Sequence, residues 1–437
     1  MRRSLEGLFL AFEGLFLTFE GLFLTYEVSF RPSRASARGP GDGASHASSP
    51  PRGTFSRVDP HDELATLLRP AGGGLHLVST GKKEQLALQE RLYGATGERE
   101  VRAAFERTLR DVGSAKAFVL GIPSDVGAGF RRGANLGPQA IREGLLASLG
   151  AAGEGRAARE RLSERGVVDV GDVFVVPQLL SDDMLSEAQL ERSQKALYPD
   201  VAAHDRARLP VSPLSIAERA MALLFGLAPN AAPIALGGDH STAYPVAREL
   251  LRAREARGER LAVVQSDAHT DLLDARLGIT HCFATWSFHI NEALGRDGRL
   301  VQVGIRASGR DKSHWESTLG VKQLWADEVN RDEAAALEAI VSHLERLGTT
   351  CVYFSNDIDG TDSAFASATG TPEPFGLRPD FLVALIRQLG RKFSLVGGDV
   401  MEVAPPLGED ASARKTTVDL AVRYLRETLE AVLGAPL

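Results

Sequence analysis

Three short clusters of acidic and histidine residues have the side-chain types that bind metal ions. The clusters occupy residues 237–241, 266–271 and 355–359. Each directly follows an apolar run that is typical of a buried parallel strand, so we expect each at the carboxyl end of its strand. Because ligands of α/β sheets collect at that edge, the three clusters are predicted to meet there.

Strand geometry predicts that the side chains within each cluster share a face. In an extended chain, residues two apart point the same way, so alternate positions of the second and third clusters converge. Four converging carboxylates repel one another, whereas two divalent ions bring four balancing positive charges, and neutral imidazoles complete the ligand shells. Two such ions, typically about 3.5–4 Å apart, can share a water and lower its pKa toward neutrality. The predicted ligands of this two-metal hydrolytic centre are His240, Asp267, His269, Asp271, Asp357 and Asp359.

Each cluster on its own has a simpler explanation. An acidic residue after a strand commonly caps a helix, and a single Gly-Gly-Asp-His could form a tight turn with a buried polar histidine. Three such clusters in separate strand-to-helix connections favour a metal site instead. Carboxylate and imidazole ligands without a thiolate favour manganese, iron, cobalt or nickel over structural zinc, and the sequence does not choose among them.

The rest of the chain predicts the sheet that positions these clusters. Seven apolar segments read as strands, and the stretches between them are long enough for helices. This alternation indicates an α/β fold of three layers, with helices on both faces of a mostly parallel sheet. The predicted strands lie near residues 117–120, 167–170, 234–236, 262–265, 301–303, 351–354 and 394–396.

Several motifs resemble those of the ureohydrolases, the arginase and agmatinase family, and in particular its agmatinase-like branch. Residues 121–142 are similar to the family's first strand-to-helix segment, and residues 171–173 resemble the end of its second strand. The third cluster continues without a gap to residue 372, and Met401-Glu402-Val403 completes the site. The resemblance begins near Lys116 and runs to the C-terminus. It implies an arginase-like α/β/α fold with about eight strands, and two metal ions for which manganese is favoured and nickel is possible.

The resemblance also assigns a role to each predicted ligand. Asp267 and Asp357 are implied to bridge the two ions. The other four ligands are implied to divide between the ions, with His240 and Asp271 on one and His269 and Asp359 on the other.

Four residues are predicted to act on the substrate. Glu402 falls where the family holds the guanidinium, and a carboxylate matches that planar group with two hydrogen bonds. His281, ten residues after Asp271, is implied to deliver a proton to the leaving amine, although it could be a buried structural histidine. Thr371 is predicted to contact the substrate with these two residues, and Asp357, or alternatively Asp359, to relay a proton.

The predicted reaction is hydrolysis of a guanidino compound to urea and an amine, through a hydroxide that bridges the two metals. Arginases carry asparagine, and formiminoglutamate hydrolases usually arginine, where this chain has Leu273, which argues against both of those substrates. Cys282 and residues 283–286 are larger than expected from the family and could narrow the pocket toward a small or apolar compound. Agmatine, guanidinobutyrate and free guanidine are the favoured substrate types.

Two other classes of function are compatible with these residues. A metal-dependent amide hydrolase of the deacetylase type generally uses one zinc ion with fewer ligands. A non-catalytic protein could retain the metals for folding or assembly, but it would need neither Glu402 nor His281. Binding of two metals per subunit and loss of turnover on substitution of either residue would favour the ureohydrolase.

Composition sets the remaining expectations. The chain has 437 residues, 43% of them hydrophobic, and a formal charge of −7 at pH 7, which disfavours nonspecific nucleic-acid binding. Two cysteines are too few for a disulfide framework and are typical of a reducing cytoplasm. The resemblance further suggests a homo-oligomer, a trimer or a hexamer.

The N-terminal part predicts no catalytic function. Residues 6–26 contain three near-copies of Glu-Gly-Leu-Phe-Leu-X-aromatic, whose repeated glutamates argue against a membrane-spanning helix. The division of the chain is therefore predicted as a repeat-containing, disordered extension at 1–58, a helical segment at 59–114 and the catalytic domain at 115–437.

Overall fold

A mostly parallel sheet of nine strands organises the part of the chain that the computed structural model describes, residues 59–149 and 155–437. The predicted extension at 1–58 lies outside these residues. The strands are β1 (Leu68–Arg69), β2 (Ala117–Ile122), β3 (Val167–Val173), β4 (Ala232–Gly237), β5 (Leu261–Ser266), β6 (Leu300–Ile305), β7 (Lys322–Trp325), β8 (Cys351–Asn356) and β9 (Ser394–Val400). Their order across the sheet is β1-β3-β2-β4-β9-β8-β5-β6-β7, and only the pairing of β1 with β3 is antiparallel.

Fifteen α-helices in the described ranges connect and cover the strands. They are α1 (Pro60–Leu67), α2 (Lys82–Tyr93), α3 (Gly97–Arg110), α4 (Gly137–Ser148), α5 (Gly155–Glu164), α6 (Glu187–Leu197), α7 (Ala203–Arg206), α8 (Pro213–Leu227), α9 (Ala243–Glu255), α10 (Trp286–Leu294), α11 (Lys312–Leu319), α12 (Ala326–Arg331), α13 (Glu333–Arg346), α14 (Pro379–Lys392) and α15 (Ala411–Leu433). None of these helices is long and apolar enough to cross a membrane.

The two faces of the sheet are covered by different helices. Along β2, Phe118 and Leu120 join a core that includes residues of α1, α3, α8 and α9. The alternate residues Ala117 and Val119 join a second core with residues of α4, α13, α14 and α15. This alternation follows from the two-residue period of a strand that is buried on both faces. The predicted three-layer α/β fold is confirmed.

Candidate metal centre

The predicted ligands and Glu402 lie at the carboxyl ends of four strands that are neighbours in the sheet. β4 leads to His240, β5 to residues 267–271, β8 to residues 357–359 and β9 to Glu402. These strands are adjacent in the order β4-β9-β8-β5. As a result, the backbone N–H of His240 donates to Oε1 of Glu402 at 3.0 Å, although the two residues are 162 positions apart.

A close backbone crossing sets the distance between Glu402 and His240. A Cβ atom on Gly238 would lie 1.7 Å from the carbonyl oxygen of Ser124, in the loop after β2. The Asp239 N–H donates to that carbonyl at 2.9 Å, and the Glu402 N–H donates to the Gly238 carbonyl at 2.9 Å. Any side chain at position 238 would therefore separate the three loops.

Two carboxylates of the site stand on left-handed backbone. Asp271 has φ 51° and Glu402 has φ 60°. This region is uncommon for residues other than glycine, and such residues concentrate at functional sites. Both residues contact His240, since Asp271 Oδ2 lies 3.4 Å from its Nδ1 and Glu402 accepts from its backbone. The unfavourable backbone thus occurs where two carboxylates converge on one histidine.

Three carboxylates surround one ring nitrogen of His240. Its Nδ1 lies 3.0 Å from Asp357 Oδ2, 3.1 Å from Asp267 Oδ2 and 3.4 Å from Asp271 Oδ2. All four side chains are buried, and this nitrogen makes no hydrogen bond within the described residues. Since buried polar atoms are normally satisfied, the arrangement suits a cation between the nitrogen and the carboxylates.

His269 forms a second group with Asp359 and Asp267. Its Nδ1 lies 3.1 Å from Asp359 Oδ2 and 3.6 Å from Asp267 Oδ1. The ligand atoms of His269, Asp267 and Asp359 all lie within 4.8 Å of one another, as do those of His240, Asp267 and Asp271. Asp267 therefore belongs to both groups, with one oxygen facing each histidine. The His269 side chain is 26% exposed, so the second group is the one that solvent can reach.

The carboxylates of the site destabilise one another's charge. Burial raises the pKa of Asp271 and of Asp357 well above the usual value, and the carboxylates of Asp267 and Asp359 add to both shifts. Burial by itself lowers the pKa of His269, but Asp359 and Asp267 outweigh it and raise that pKa to about 12. Positive charge placed between these groups would relieve the repulsion, as two bound cations do.

Side chains behind the ligands orient them. Gln265 Nε2 donates to Asp267 Oδ2 at 2.7 Å. On the other side, Ser355 Oγ donates to Asp399 at 3.0 Å and lies 3.0 Å from Nε2 of His240. Because the serine hydrogen points to Asp399, its oxygen accepts from the His240 Nε2–H, which leaves Nδ1 free to bind a cation. Gln265 and Asp399 were not predicted. The sequence could have indicated them only because each is a polar residue within an apolar, buried strand.

Trp286 contacts two predicted ligands at once. Its indole ring stacks on the His240 ring with centroids 4.5 Å apart and an interplanar angle of 29°. Its Nε1–H donates to Asp271 Oδ2 at 3.1 Å. The sequence interpretation placed Trp286 among residues that narrow the pocket, but the side chain is fully buried and supports the ligands.

We expect Trp286→Phe to weaken metal binding about 10- to 100-fold, the usual effect of removing a side chain that orients a ligand. Phenylalanine keeps a ring beside His240 but loses the hydrogen bond to Asp271. Metal affinity can be measured by titration against a chelator. Trp315→Phe is a matched control, because Trp315 lies in α11 and its Nε1–H donates to Ser308 and not to a predicted ligand. Equal affinities in the two variants would contradict the role of Trp286.

Glu402 and Thr371, which are predicted to bind substrate, both lie at the site and form hydrogen bonds with residues that hold or flank the ligands. Glu402 is buried, and burial raises its pKa well above the usual value, with the nearby carboxylate of Asp239 adding to the shift. Thr371 Oγ1 donates to Oδ2 of Asp359 at 2.9 Å. Thr371 therefore orients a predicted ligand, and its contact with substrate stays a prediction.

His281 lies beside other rings and not beside the predicted ligands. Its imidazole stacks on Tyr244 with centroids 5.1 Å apart and lies 4.9 Å from the ring of His289. Its Nε2 is 4.0 Å from Asp183 Oδ2, and its Nδ1 is buried without a hydrogen bond in the described part of the chain. Burial lowers its pKa, and His289 adds to the shift. Among the described residues, its ring contacts and nearest ion pair involve Tyr244, His289 and Asp183 and not the predicted ligands, and its catalytic role stays a prediction.

Comparisons with known proteins agree with the fold and identify the family. The sequence profile of the arginase family matches residues 115–430. The chain is 34% identical over 295 residues to the mitochondrial agmatinase of Gallus gallus, covering 66% of this chain and 74% of that protein. It is 30% identical over 295 residues to the guanidinobutyrase of Pseudomonas aeruginosa, covering 66% and 79% respectively. The solved structure of proclavaminate amidino hydrolase from Streptomyces clavuligerus aligns with a TM-score of 0.53 and 28% identity, over 74% of this chain and 93% of that one.

Proposed function

The chain belongs to the arginase family, and on that premise we propose that it hydrolyses a guanidino compound to urea and an amine with the help of two divalent metal ions. The ureohydrolase resemblance drawn from the motifs is confirmed, and relatives named agmatinase and guanidinobutyrase support the agmatinase-like branch. The observation that carries the proposal is Asp267, whose two carboxylate oxygens face two different histidines. A carboxylate shared in this way is suited to bridge two cations.

The residues present fit such a pair of ions. The Nδ1 of His240 is buried, makes no hydrogen bond to any residue that the structure describes and is surrounded by carboxylate oxygens, which is the environment of a ligand atom. Four buried aspartates are balanced by two divalent ions. The carboxylate oxygens and imidazole nitrogens suit manganese, iron, cobalt or nickel, and the family resemblance favours manganese, with nickel possible. In this assignment Asp267 and Asp357 would be shared by the two ions, His240 and Asp271 would hold one ion, and His269 and Asp359 would hold the other. When bound, such ions supply a water that deprotonates near neutral pH and positive charge opposite the developing negative charge.

Glu402 is proposed to hold the guanidinium of the substrate. Its Oε1 accepts from the His240 backbone, which fixes the carboxylate next to the ligands. Burial and the neighbouring Asp239 both disfavour its negative charge, so a cationic guanidinium at this position would relieve an existing electrostatic cost. The planar guanidinium can form two hydrogen bonds to one carboxylate, which orients its central carbon toward the ligands.

Proton movement is assigned to Asp357 and His281. Asp357 belongs to the ligand group and can accept the proton released as the guanidinium carbon is attacked. His281 can protonate the leaving amine, and Asp183, which is exposed at 4.0 Å from its Nε2, offers a path from solvent. In the described structure the His281 ring stacks on Tyr244, and its delivery of a proton to the leaving amine is part of the proposal.

The test is a metal-loading and urea-release experiment. The protein is loaded separately with manganese and nickel, the metal bound per subunit is measured, and urea is followed with agmatine, guanidinobutyrate, guanidinopropionate, arginine and guanidine. We expect two ions per subunit and urea from agmatine or guanidinobutyrate, with arginine poor because Leu273 cannot grip an amino-acid head group. Two bound ions with no urea from any compound would refute the proposal, and one bound ion with hydrolysis of acetylated amines would favour the amide-hydrolase alternative.

Assembly and location stay predictions. The expected trimer or hexamer and the expected cytoplasmic location follow from the resemblance and the cysteine count. Sedimentation analysis of the loaded protein would measure the first, and labelling in cells the second.

A further inference from the structure

An apolar pocket of about 380 Å³ opens next to the candidate metal centre. Three loops form its walls, all at the carboxyl edge of the sheet where the ligands lie. They comprise residues 126–129 after β2, residues 178–185 after β3 and residues 276–283 after β5.

Direct contacts join this pocket to the metal centre. Gly127, in its first wall, donates its N–H to Asp239 Oδ2 at 3.0 Å, and Asp239 is the neighbour of His240. Phe283, in its third wall, donates its N–H to the Gly127 carbonyl at 3.2 Å. Burial raises the pKa of the Cys282 thiol, and the carboxylates of Asp239 and Asp271 add to that shift, which places this wall within electrostatic reach of both residues. The pocket therefore lies beside the metal centre, on the side where Asp239 is located.

The walls of the pocket are almost entirely apolar. Among the described lining residues, Arg276 is the only charged one, and its guanidinium lies over the Phe283 ring, 5.0 Å from the centroid. The other described pockets are lined by several charged residues each. A cavity with this lining is suited to a carbon chain without a cationic end, because an ammonium would lose water without gaining an acidic partner.

Two apolar side chains that line the pocket are exposed to solvent. Leu277 is 97% exposed and has φ 52°, at the tip of a turn closed by hydrogen bonds between Arg276 and Ile279. Met184, on the opposite wall, is 48% exposed. Of the seven large hydrophobic residues exposed in the described chain, these two share one cavity. An apolar ligand in the pocket would remove both from water, which is favourable in proportion to the area covered.

We propose that this pocket binds the tail of the guanidino substrate and selects an uncharged apolar tail, so that the preferred substrates are alkyl- or arylalkylguanidines. This inference rests on the proposed function, since Glu402 must hold the guanidinium for the tail to reach the pocket. An ammonium at the end of the tail is disfavoured twice, by the apolar walls and by the positive charge of Arg276. The wall residues Cys282 and Phe283 thus determine which tails the pocket accepts. Trp286 does not line the pocket and instead orients the predicted ligand Asp271.

The experiment compares tails of equal length and different chemistry. Urea release by the manganese-loaded protein is measured with ethyl-, propyl-, butyl- and pentylguanidine and with agmatine, which matches pentylguanidine in length but ends in an ammonium. We expect kcat/KM to rise roughly fourfold per added methylene, and pentylguanidine to exceed agmatine by about tenfold or more. A flat series, or agmatine as the better substrate, would overturn the inference while leaving the proposed function intact.

A charge-introducing variant tests the pocket itself. Met184→Glu places a carboxylate in the wall at an exposed position, and it should reduce the ratio of pentylguanidine to agmatine activity about two- to fivefold. Val78→Glu is the matched control, because Val78 is also exposed and lies outside this pocket. An unchanged ratio in Met184→Glu, together with a changed oligomeric state, would instead identify the pocket as a contact between subunits.

Calorimetric measurement of affinity separates a wrong role for the pocket from a wrong proposed function. If no guanidino compound releases urea, the proposed function is wrong, and calorimetric affinities of the alkyl series still decide the role of the pocket. Affinity that is independent of chain length would then refute the pocket as an apolar binding site.

Discussion

Replacing Glu402 with glutamine is expected to remove most urea release while leaving the metal content unchanged. Glutamine keeps an oxygen that can accept from the His240 N–H, so the local backbone is retained. It loses the negative charge that pairs with the guanidinium in a buried site. Loss of one partner of a buried charge pair costs about 2–5 kcal/mol, which corresponds to a decrease in kcat/KM of roughly 30- to 5,000-fold. Bound metal and steady-state kinetics are measured on the same preparation.

The matched control for Glu402→Gln is Glu373→Gln. Glu373 is also acidic and lies at the site, with Oε1 4.0 Å from Nε2 of His269, but its side chain is 38% exposed, whereas Glu402 is buried. We expect this variant to change kcat/KM by less than about fivefold, since a partly exposed charge contributes little. If Glu402→Gln retains full urea release with two ions bound, Glu402 does not hold the substrate. If it loses its metals, the residue acts through the ligands instead.

The sheet and the ligand clusters could be predicted because both depend on short-range patterns. All seven predicted strands are present, since each is a run of residues buried on both faces of a parallel sheet. The clusters were recognisable because they follow those runs directly and alternate in the manner of extended chain. The clusters lie at one edge of the sheet because the strands are parallel. They come within contact of one another because β4, β9, β8 and β5 are adjacent.

Two strands were not predicted because they lack this pattern. β1 has only two residues, Leu68 and Arg69, and pairs antiparallel with the end of β3. β7 lies at the other edge of the sheet and has the mixed sequence Lys-Gln-Leu-Trp. An edge strand can carry polar residues because one side of it is uncovered, so its composition gives little signal.

The supporting residues of the site could not be predicted because their contacts are set by tertiary packing. Trp286 begins α10 and looks like any apolar residue at the start of a helix, yet its ring reaches His240 and its N–H reaches Asp271. Spacing in sequence cannot give the direction of such a ring. The same limit applies to His281, whose distance from Asp271 along the chain matches the family but whose ring packs against Tyr244.

Asp267→Asn is expected to abolish binding at both metal positions, the largest loss of metal we predict for one substitution. Asp267 is the residue that both ligand groups share, with Oδ2 at 3.1 Å from His240 and Oδ1 at 3.6 Å from His269. Removing one charged partner from a buried cluster costs about 3–5 kcal/mol, or about 150- to 5,000-fold in affinity. The measurements are metal per subunit after dialysis and urea release, and both should fall to background.

Single-group variants separate a shared ligand from a general loss of structure. Asp271→Asn should impair only the group of His240, and Asp359→Asn only that of His269, so each should retain about one ion per subunit. Asp267→Asn should lower the thermal stability of the metal-free protein only in part. Burial opposes the Asp267 charge, but His240 and His269 outweigh burial, lower the pKa of Asp267 and so favour its charge in the folded state. A metal-free Asp267→Asn protein with no cooperative unfolding transition would assign the loss of metal to misfolding. If it stays stable and retains two ions, Asp267 is not the bridging ligand, and the two histidines must be joined through Asp357 alone.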